Sequence, residues 1–260
     1  MLRFLKGFGL FTAAALGAAA LPVHAAGDLL VAPTRVILDG SRGTEVVLNN
    51  IGAEPATYRI SLEIKRMTAE GGLDEIAEDK ANSAERTALD MIAFSPRRVT
   101  LPPNQPQVVR VGVRVPEGTP PGEYRAHMLF RAVPDAVAAV PADRAKPASD
   151  GVSIALTPIY GITIPVIVRV GDLGAEATIG EAWVGDSADG PTFNFDLARA
   201  GNRSVYGDIE VSRAGVPEPL LVARGIAVYP EVGARKVSLR VPGELAAKLK
   251  GPVRIRYTED

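Results

Sequence analysis

The sequence contains no cysteine and only two histidines among its 260 residues. A chain without cysteine cannot form a disulfide framework, a thiolate metal site or a cysteine nucleophile, so its stability must come from buried apolar surface. Aromatic residues are also scarce, at 5% of the chain, whereas hydrophobic residues make up 47%. This composition favours a core of valine, isoleucine and leucine.

An excess of charge of either sign is also missing. The chain has 29 lysines and arginines against 30 aspartates and glutamates, a formal net charge of −1. Neither the basic footprint of a nucleic-acid-binding protein nor a polybasic membrane patch is present. We therefore expect no nucleic-acid partner.

Long apolar runs are confined to the N-terminus. Arg3 and Lys6 precede the apolar run Gly7–Leu21, and small residues follow up to Ala25, which is the pattern of a cleaved secretory signal peptide. The run is shorter than the roughly 20 residues that a membrane-spanning helix needs. We expect residues 1–25 to be removed on export to the periplasm, with no membrane insertion of the mature protein.

Alternation with a period of two dominates the rest of the chain. Tyr58, Ile60, Leu62 and Ile64 alternate with polar residues, as in a strand with one buried face. Similar short strands are predicted at Leu29–Leu38, Thr44–Asn49, Ile92–Leu101 and Glu123–Val133, and the pattern begins again after Arg169.

The predicted fold is therefore all-β, with two immunoglobulin-like β-sandwich domains in tandem. We place the N-terminal domain at residues 26–170 and a smaller C-terminal sandwich at residues 171–260. Helix is expected only in two brief segments, Glu75–Ala88 and Pro242–Lys250.

The chain offers little material for catalysis. Once the signal peptide is removed, His127 is the one histidine left, so no site with several histidine ligands can form. The sequence also lacks a nucleophile elbow and a glycine-rich phosphate loop. We expect no enzymatic activity, no cofactor and no metal, and a structural role for His127.

Two features have two interpretations each. Arg35 lies within a predicted strand, where it is either an exposed charge or a buried charge that needs a partner. Val152, Ile154 and Leu156 alternate with Ser153, Ala155 and Thr157. They therefore belong either to a core strand or to an edge strand kept apolar for a partner.

Several segments together resemble the periplasmic chaperones of the chaperone-usher pathway, which assemble pili. They are Thr34–Gly40, Pro96–Pro103 with Gln107–Val111, Gly122–Pro134, Ser153–Leu156 and, more loosely, Ala200–Arg203. The resemblance implies a chaperone that stabilises pilin subunits by lending them a β-strand and delivers them to an outer-membrane usher. Pilin subunits and the usher are thus its implied partners.

The resemblance also implies roles for individual residues. Val152, Ile154 and Leu156 would be the donor-strand side chains that fill the pilin groove. In this family an arginine of the first strand and a lysine of the seventh anchor the pilin carboxylate. Arg35 matches the arginine, but no basic residue matches the lysine, which suggests a divergent branch such as that of archaic or spore-coat-like pili. Arg125, on the neighbouring strand, is a candidate substitute.

A different class of function is compatible with the same residues. An immunoglobulin-like binding module of the periplasm or the cell surface, without a pilin client, would show the same strands and the same absence of catalytic motifs. The two alternatives differ in whether the apolar run at residues 152–156 serves a partner or a core.

Overall fold

The computed structural model describes residues 29–134 and 159–260. Within them the strands form two β-sandwiches that follow one another along the chain, which confirms the predicted all-β class. The predicted division into domains at Gly171 stays a proposal. β10 ends at Val170 and β11 begins at Ala175, so the chain passes between the sandwiches here.

The first sandwich has two sheets packed face to face. One sheet has the strand order β1-β3-β8-β6, and the other has the order β2-β10-β9-β4-β5, with β7 also paired to β4. The strands are β1 (Leu29–Ala32), β2 (Val36–Leu38), β3 (Thr44–Asn50), β4 (Ala56–Met67), β5 (Leu73–Ile76), β6 (Ile92–Ser95), β7 (Arg98–Leu101), β8 (Pro106–Val113), β9 (Gly122–Val133) and β10 (Gly161–Val170).

The core of this sandwich is built from the side chains at alternate strand positions that point inwards between the two sheets. Ile60 is 2% exposed, while Leu48 and Phe130 are fully buried, and these side chains belong to one apolar cluster between the sheets. Burial of one such side chain stabilises the fold by about 1.5 to 3 kcal/mol. The alternation that predicted the strands thus also identified the core.

Two segments expected to be single strands are each divided between the two sheets. The first breaks at Pro33, so that β1 pairs with β3 while β2 pairs with β10. The second breaks at Pro96, so that β6 pairs with β8 while β7 pairs with β4. Proline has no N–H to donate to a ladder, and both segments change sheets where it occurs.

The helix expected at Glu75–Ala88 begins later in the chain. A turn of 3-10 helix at Glu78–Lys80 comes first, and α1 spans Ser83–Met91. The side chain of Asn82 accepts from the N–H of Glu85, and the Glu85 carboxylate accepts from the N–H of Asn82, which is a capping box. This cap sets the start of α1.

The β4–β5 hairpin, comprising β4, β5 and the turn between them, reaches the second sandwich. At its turn the N–H of Lys236 donates to the C=O of Ala69 at 2.7 Å. Gly71 has φ +83°, and a Cβ added there would lie 2.1 Å from Nε of Arg235. A larger residue at this position would therefore disturb the contact between the hairpin and the second sandwich.

The second sandwich has two three-stranded sheets, β11-β12-β15 and β14-β13-β16. Phe195, Val205 and Ile209 are fully buried between them. A short helix, α2 (Gly243–Ala246), replaces the longer one expected up to Lys250. The strands are β11 (Ala175–Ser187), β12 (Gly190–Gly201), β13 (Val205–Ser212), β14 (Leu221–Val228), β15 (Ala234–Arg240) and β16 (Arg254–Glu259).

A third, smaller apolar cluster joins the two sandwiches. Met67 and Ile167 from the first sandwich pack against Ala227 and Tyr229 from the second, and each is at most 6% exposed. Ile167 faces away from its own core, so the second sandwich is what buries it. The two sandwiches therefore meet over the outer face of β4, β9 and β10.

We expect Ile60→Asp to prevent folding of the first sandwich. The substitution places a charge at a position that is 2% exposed and has no cationic partner in the surrounding core cluster. Ala93→Asp, at an exposed strand position, is the matched control and should keep its cooperative unfolding transition. Thermal unfolding followed by circular dichroism would check both, and a native-like transition for Ile60→Asp would contradict this assignment of the core.

Candidate functional site: an open strand edge beside a basic cleft

The open edge of β10 lies at its N-terminal half. On one side the whole of β10, Gly161–Val170, pairs antiparallel with β9. On the other side β2 pairs in parallel with only Val166–Val168. Among the described residues, no strand pairs with this side of Gly161–Ile164.

The backbone groups along this edge are directed outwards. The N–H of Ala132 on β9 donates to the C=O of Tyr160 at 2.9 Å. In an antiparallel pair, the backbone groups of successive residues point alternately to one neighbour and to the other. The N–H and C=O groups of Gly161 and Thr163 therefore point away from β9, where a further strand could bond to them.

Apolar side chains precede this edge. Ile159 is 48% exposed and Tyr160 is 50% exposed, although both adjoin a strand whose inward residues are buried. The predicted donor-strand residues Val152, Ile154 and Leu156 come a few positions earlier and lie outside the described residues.

Arg35 lies where the edge meets the second sandwich, in the link between β1 and β2. Its Nη2 donates to Oγ of Ser204 at 3.0 Å, and its guanidinium lies 4.5 Å from the ring centre of Tyr206. Nε and Nη1 of Arg35 are buried and have no hydrogen-bond partner among the described residues. No carboxylate of the described residues forms an ion pair with it. Arg35 is thus a partly buried cation with unused donors.

Ser204 connects Arg35 to a buried carboxylate on β9. The Ser204 hydroxyl donates to Oε2 of Glu123 at 2.8 Å, and the N–H of Ser204 donates to the same oxygen at 3.1 Å. Nε of Arg169 on β10 donates to it as well, at 3.2 Å. The Glu123 side chain is completely buried. Its negative charge is therefore compensated by groups from both sandwiches.

Arg125 is placed differently from Arg35. Both of its terminal nitrogens contact the Glu231 carboxylate, and Nη2 also donates to the C=O of Lys65 at 3.1 Å. Its guanidinium lies 3.6 Å from the ring centre of Tyr229, and Arg35 lies 5.8 Å from the same ring. The two predicted anchor residues thus flank one tyrosine, but Arg125 already has an anionic partner.

A cavity of about 390 Å³ opens beside Arg35. It is lined by Arg35, Ile37, Arg169, Arg203, Tyr206, Glu259 and Asp260. Arg203 forms an ion pair with Glu259, whereas among the described residues Arg35 has no anion to neutralise it. Asp260 also lines the cavity, but the unused donors of Arg35 make a carboxylate a suitable ligand beside that arginine.

His127 is buried under the second sandwich, as its expected structural role requires. It is 1% exposed, and its ring contacts that of Tyr229 edge to face at 6.4 Å. Burial, together with the nearby positive charges of Arg125 and Lys65, lowers the pKa of His127 from 6.5 to about 3. Burial also raises the pKa of the Tyr229 hydroxyl. His127 is therefore neutral at physiological pH.

The sequence analysis singled out Arg35 and Arg125, whose anchor roles stay predictions, but not the residues that surround them. Ser204, Tyr229 and Glu231 are distant in sequence from the first sandwich, and no motif points to a role for them in this site. Glu123 lies in Gly122–Pro134, one of the segments that carry the family resemblance. The signal that could have pointed to it was a charged residue at the start of a mostly apolar predicted strand. Within the described ranges, no group of acidic residues and histidines could hold a metal ion.

Comparisons with known proteins give likeness in structure alone. No family model and no curated protein matches the sequence. Solved structures of fimbrial and pilus chaperones are similar to it. A structure of the CsuC–CsuE chaperone–tip adhesion subunit pre-assembly complex from archaic chaperone-usher Csu pili of Acinetobacter baumannii matches with 12% identity and a TM-score of 0.47 over 89% of this chain and 92% of that chain.

Two further structures give comparable values. The CupB2 chaperone of Pseudomonas aeruginosa matches with 12% identity and a TM-score of 0.43 over 88% of this chain and 92% of that chain. A Salmonella enterica structure of the SafA pilin with the SafB chaperone matches with 16% identity and a TM-score of 0.41 over 84% and 85%. At such low identity, the roles of individual residues must come from this chain's own geometry.

No helix in the described parts of the chain has the length and apolar character needed to span a membrane.

We expect the buried His127 to make the fold sensitive to acid. Below pH 6.5 the unfolded chain takes up a proton at this histidine, whereas the folded protein does not until about pH 3. Stability is therefore lost as the pH falls through this window, by about 2 kcal/mol at pH 5. In urea unfolding at pH 7 and pH 5, His127→Leu should lose less stability than the wild type. An equal loss in both proteins would show that His127 does not titrate in this way.

Proposed function

We propose that the protein is a periplasmic chaperone that binds pilin subunits by adding a β-strand to them and passes them to an outer-membrane usher. The observation that carries this proposal is the open edge of β10 next to the unpaired cation Arg35. Together they offer backbone hydrogen bonds along a strand and a charge at its end.

A polypeptide strand with a free C-terminus could bind both to the backbone groups of the β10 edge and to the charge of Arg35. Its backbone would bond to Gly161 and Thr163, and its carboxylate would enter the cavity beside Arg35. Main-chain bonds of this kind give affinity without a strict sequence requirement, and a charge-assisted bond fixes the end of the strand. This combination suits subunits that share a C-terminal strand but differ elsewhere.

The direction of the added strand follows from the position of Arg35. Arg35 lies level with Pro165, at the C-terminal end of the open edge Gly161–Ile164, where β2 begins its parallel pairing with β10. A strand whose C-terminus reaches Arg35 must therefore run parallel to β10, in line with β2. The predicted donor residues Val152, Ile154 and Leu156 would continue this interaction upstream, with alternate side chains in the groove of the subunit.

Arg125 is less suited than Arg35 to bind the C-terminal carboxylate of a subunit. It is held by Glu231 and by the ring of Tyr229, so contact with a ligand carboxylate would require it to leave a good ion pair. Its support for Tyr229, which also lies near Arg35, is an indirect contribution to the same cleft.

We expect Arg35→Ala to weaken capture of a pilin subunit by about 2 to 5 kcal/mol, because it removes a partly desolvated charge-assisted bond. Co-expression with candidate pilins encoded beside the gene, followed by affinity purification, measures this. The melting temperature should change little, since two nitrogens of Arg35 have no partner among the described residues of the free protein.

Arg110→Ala is the matched control for this experiment, because Arg110 is 84% exposed in its side chain and lies on the opposite sheet. It should capture the subunit as the wild type does. Arg125→Ala tests the second anchor, and equal capture by the wild type and Arg35→Ala would refute the carboxylate site.

We also expect Ile154→Asp to abolish capture while leaving the fold intact. A donor-strand side chain fills a groove of the partner, where an aspartate would be an unpaired buried charge. A donor-strand side chain would not be part of the chaperone's own core, so the melting temperature should stay close to that of the wild type.

Ile60→Asp provides the comparison, because Ile60 is a core residue at 2% exposure. Unfolding of Ile154→Asp to the same extent would mean that Ile154 is a core residue, as in a binding module without a pilin client. Normal capture by a folded Ile154→Asp would also refute the donor-strand role.

A further inference from the structure

A row of three arginines crosses the outer face of the first sandwich. Arg98 on β7 is the direct cross-strand partner of Arg59 on β4, and Arg59 is in turn the partner of Arg131 on β9. All three side chains are exposed. The next position in the row, on β10, is Gly161 at the open edge.

The arginine row has no anionic partner in the parts of the chain that the structure describes. None of its three members forms an ion pair there. Like charges placed directly opposite each other on neighbouring strands are destabilising. An arrangement with two such pairs in succession is unfavourable in the free protein, but an anion supplied by a partner would relieve it.

Glycine at position 161 keeps the end of this row accessible from the edge. It carries no side chain that could stand between Arg131 and an added strand. A Cβ placed there would lie 3.0 Å from Cδ1 of Leu129, so the leucine already leans over the glycine. Arg59, Arg131 and Leu129 line a cavity of about 380 Å³ on this face, together with Ser61 and Ile159.

We propose that Arg131, supported by Arg59, selects an acidic side chain at one position of the strand that binds to the open edge of β10. This inference depends on the proposed function, since it requires a strand at that edge. Neighbouring strands are about 4.8 Å apart, so the added strand lies about 10 Å from β9. An arginine and a glutamate side chain can together bridge that gap across a glycine.

The register of the contact follows from the anchor at Arg35. Arg35 precedes Val36, the partner of Val166, and so lies level with Pro165. In a parallel strand that ends at Arg35, the residue beside Gly161 comes roughly two to four positions before the last one. The acidic residue is therefore expected at one outward-facing position in that interval.

A glutamate scan of synthetic peptides tests this inference. Each peptide has twelve residues of alternating valine and threonine with a free C-terminal carboxylate, and one threonine is replaced by glutamate or by glutamine. Binding to the mature protein is measured by fluorescence anisotropy at low salt. At one position only, glutamate should bind about threefold to fivefold more tightly than glutamine, and high salt should remove the difference.

Substitutions of single arginines show which of them recognises the glutamate of the peptide. Arg131→Gln should abolish the preference for glutamate at that position but leave binding of the glutamine peptides unchanged. Arg98→Gln is the matched control, because Arg98 lies two strands further from the edge than Arg131 and should keep the preference. Arg35→Ala should weaken all the peptides alike, since it acts on their common carboxylate.

The outcomes separate the inference from the proposed function. Peptides that bind without any preference for glutamate would overturn the role of Arg131 but leave strand addition in place. An equal preference for glutamate at every position would also overturn it, because the arginines would then be a general anionic surface. Failure of every peptide to bind would count against strand addition itself, and the selection by Arg131 would fall with it.

Discussion

The carboxylate of Glu123 is the constraint on which the arrangement of the two sandwiches depends. A completely buried charge must be compensated, and the compensation comes from Arg169 on the first sandwich and Ser204 on the second. Separation of the sandwiches would remove two of the three hydrogen bonds to this carboxylate, because both the N–H and the hydroxyl of Ser204 donate to it. The same serine also holds Arg35, so the link that joins the sandwiches positions the candidate anchor as well.

The site combines an open strand edge with a single arginine, and neither feature by itself would select one kind of ligand. An open strand edge by itself accepts almost any extended chain and is a liability for aggregation. A single arginine in a cleft is likewise a poor receptor for a carboxylate in water. In the proposed function, their fixed spacing would select an extended chain that ends in a carboxylate, and a rigid cleft would reduce the entropy lost on binding.

The sequence predicted most of the strands because each alternates around one buried face, as Ile60 and its neighbours do. It failed where the backbone changes sheet, at Pro33 and Pro96, since the alternation continues through the break. The start of α1 was misplaced because the capping box at Asn82 was overlooked. The cleft could not be predicted as a whole, because Glu123 and Ser204 meet across 81 positions without any local pattern.

The turn of the β4–β5 hairpin is a contact between the two sandwiches that lies outside both main cores. Its turn contacts the second sandwich at Lys236 and Arg235, yet none of its turn residues belongs to either main core. Insertions or deletions in such a turn are tolerated in evolution because they leave both hydrophobic cores untouched. A longer or shorter hairpin turn would therefore change the contact with the second sandwich while leaving both hydrophobic cores intact.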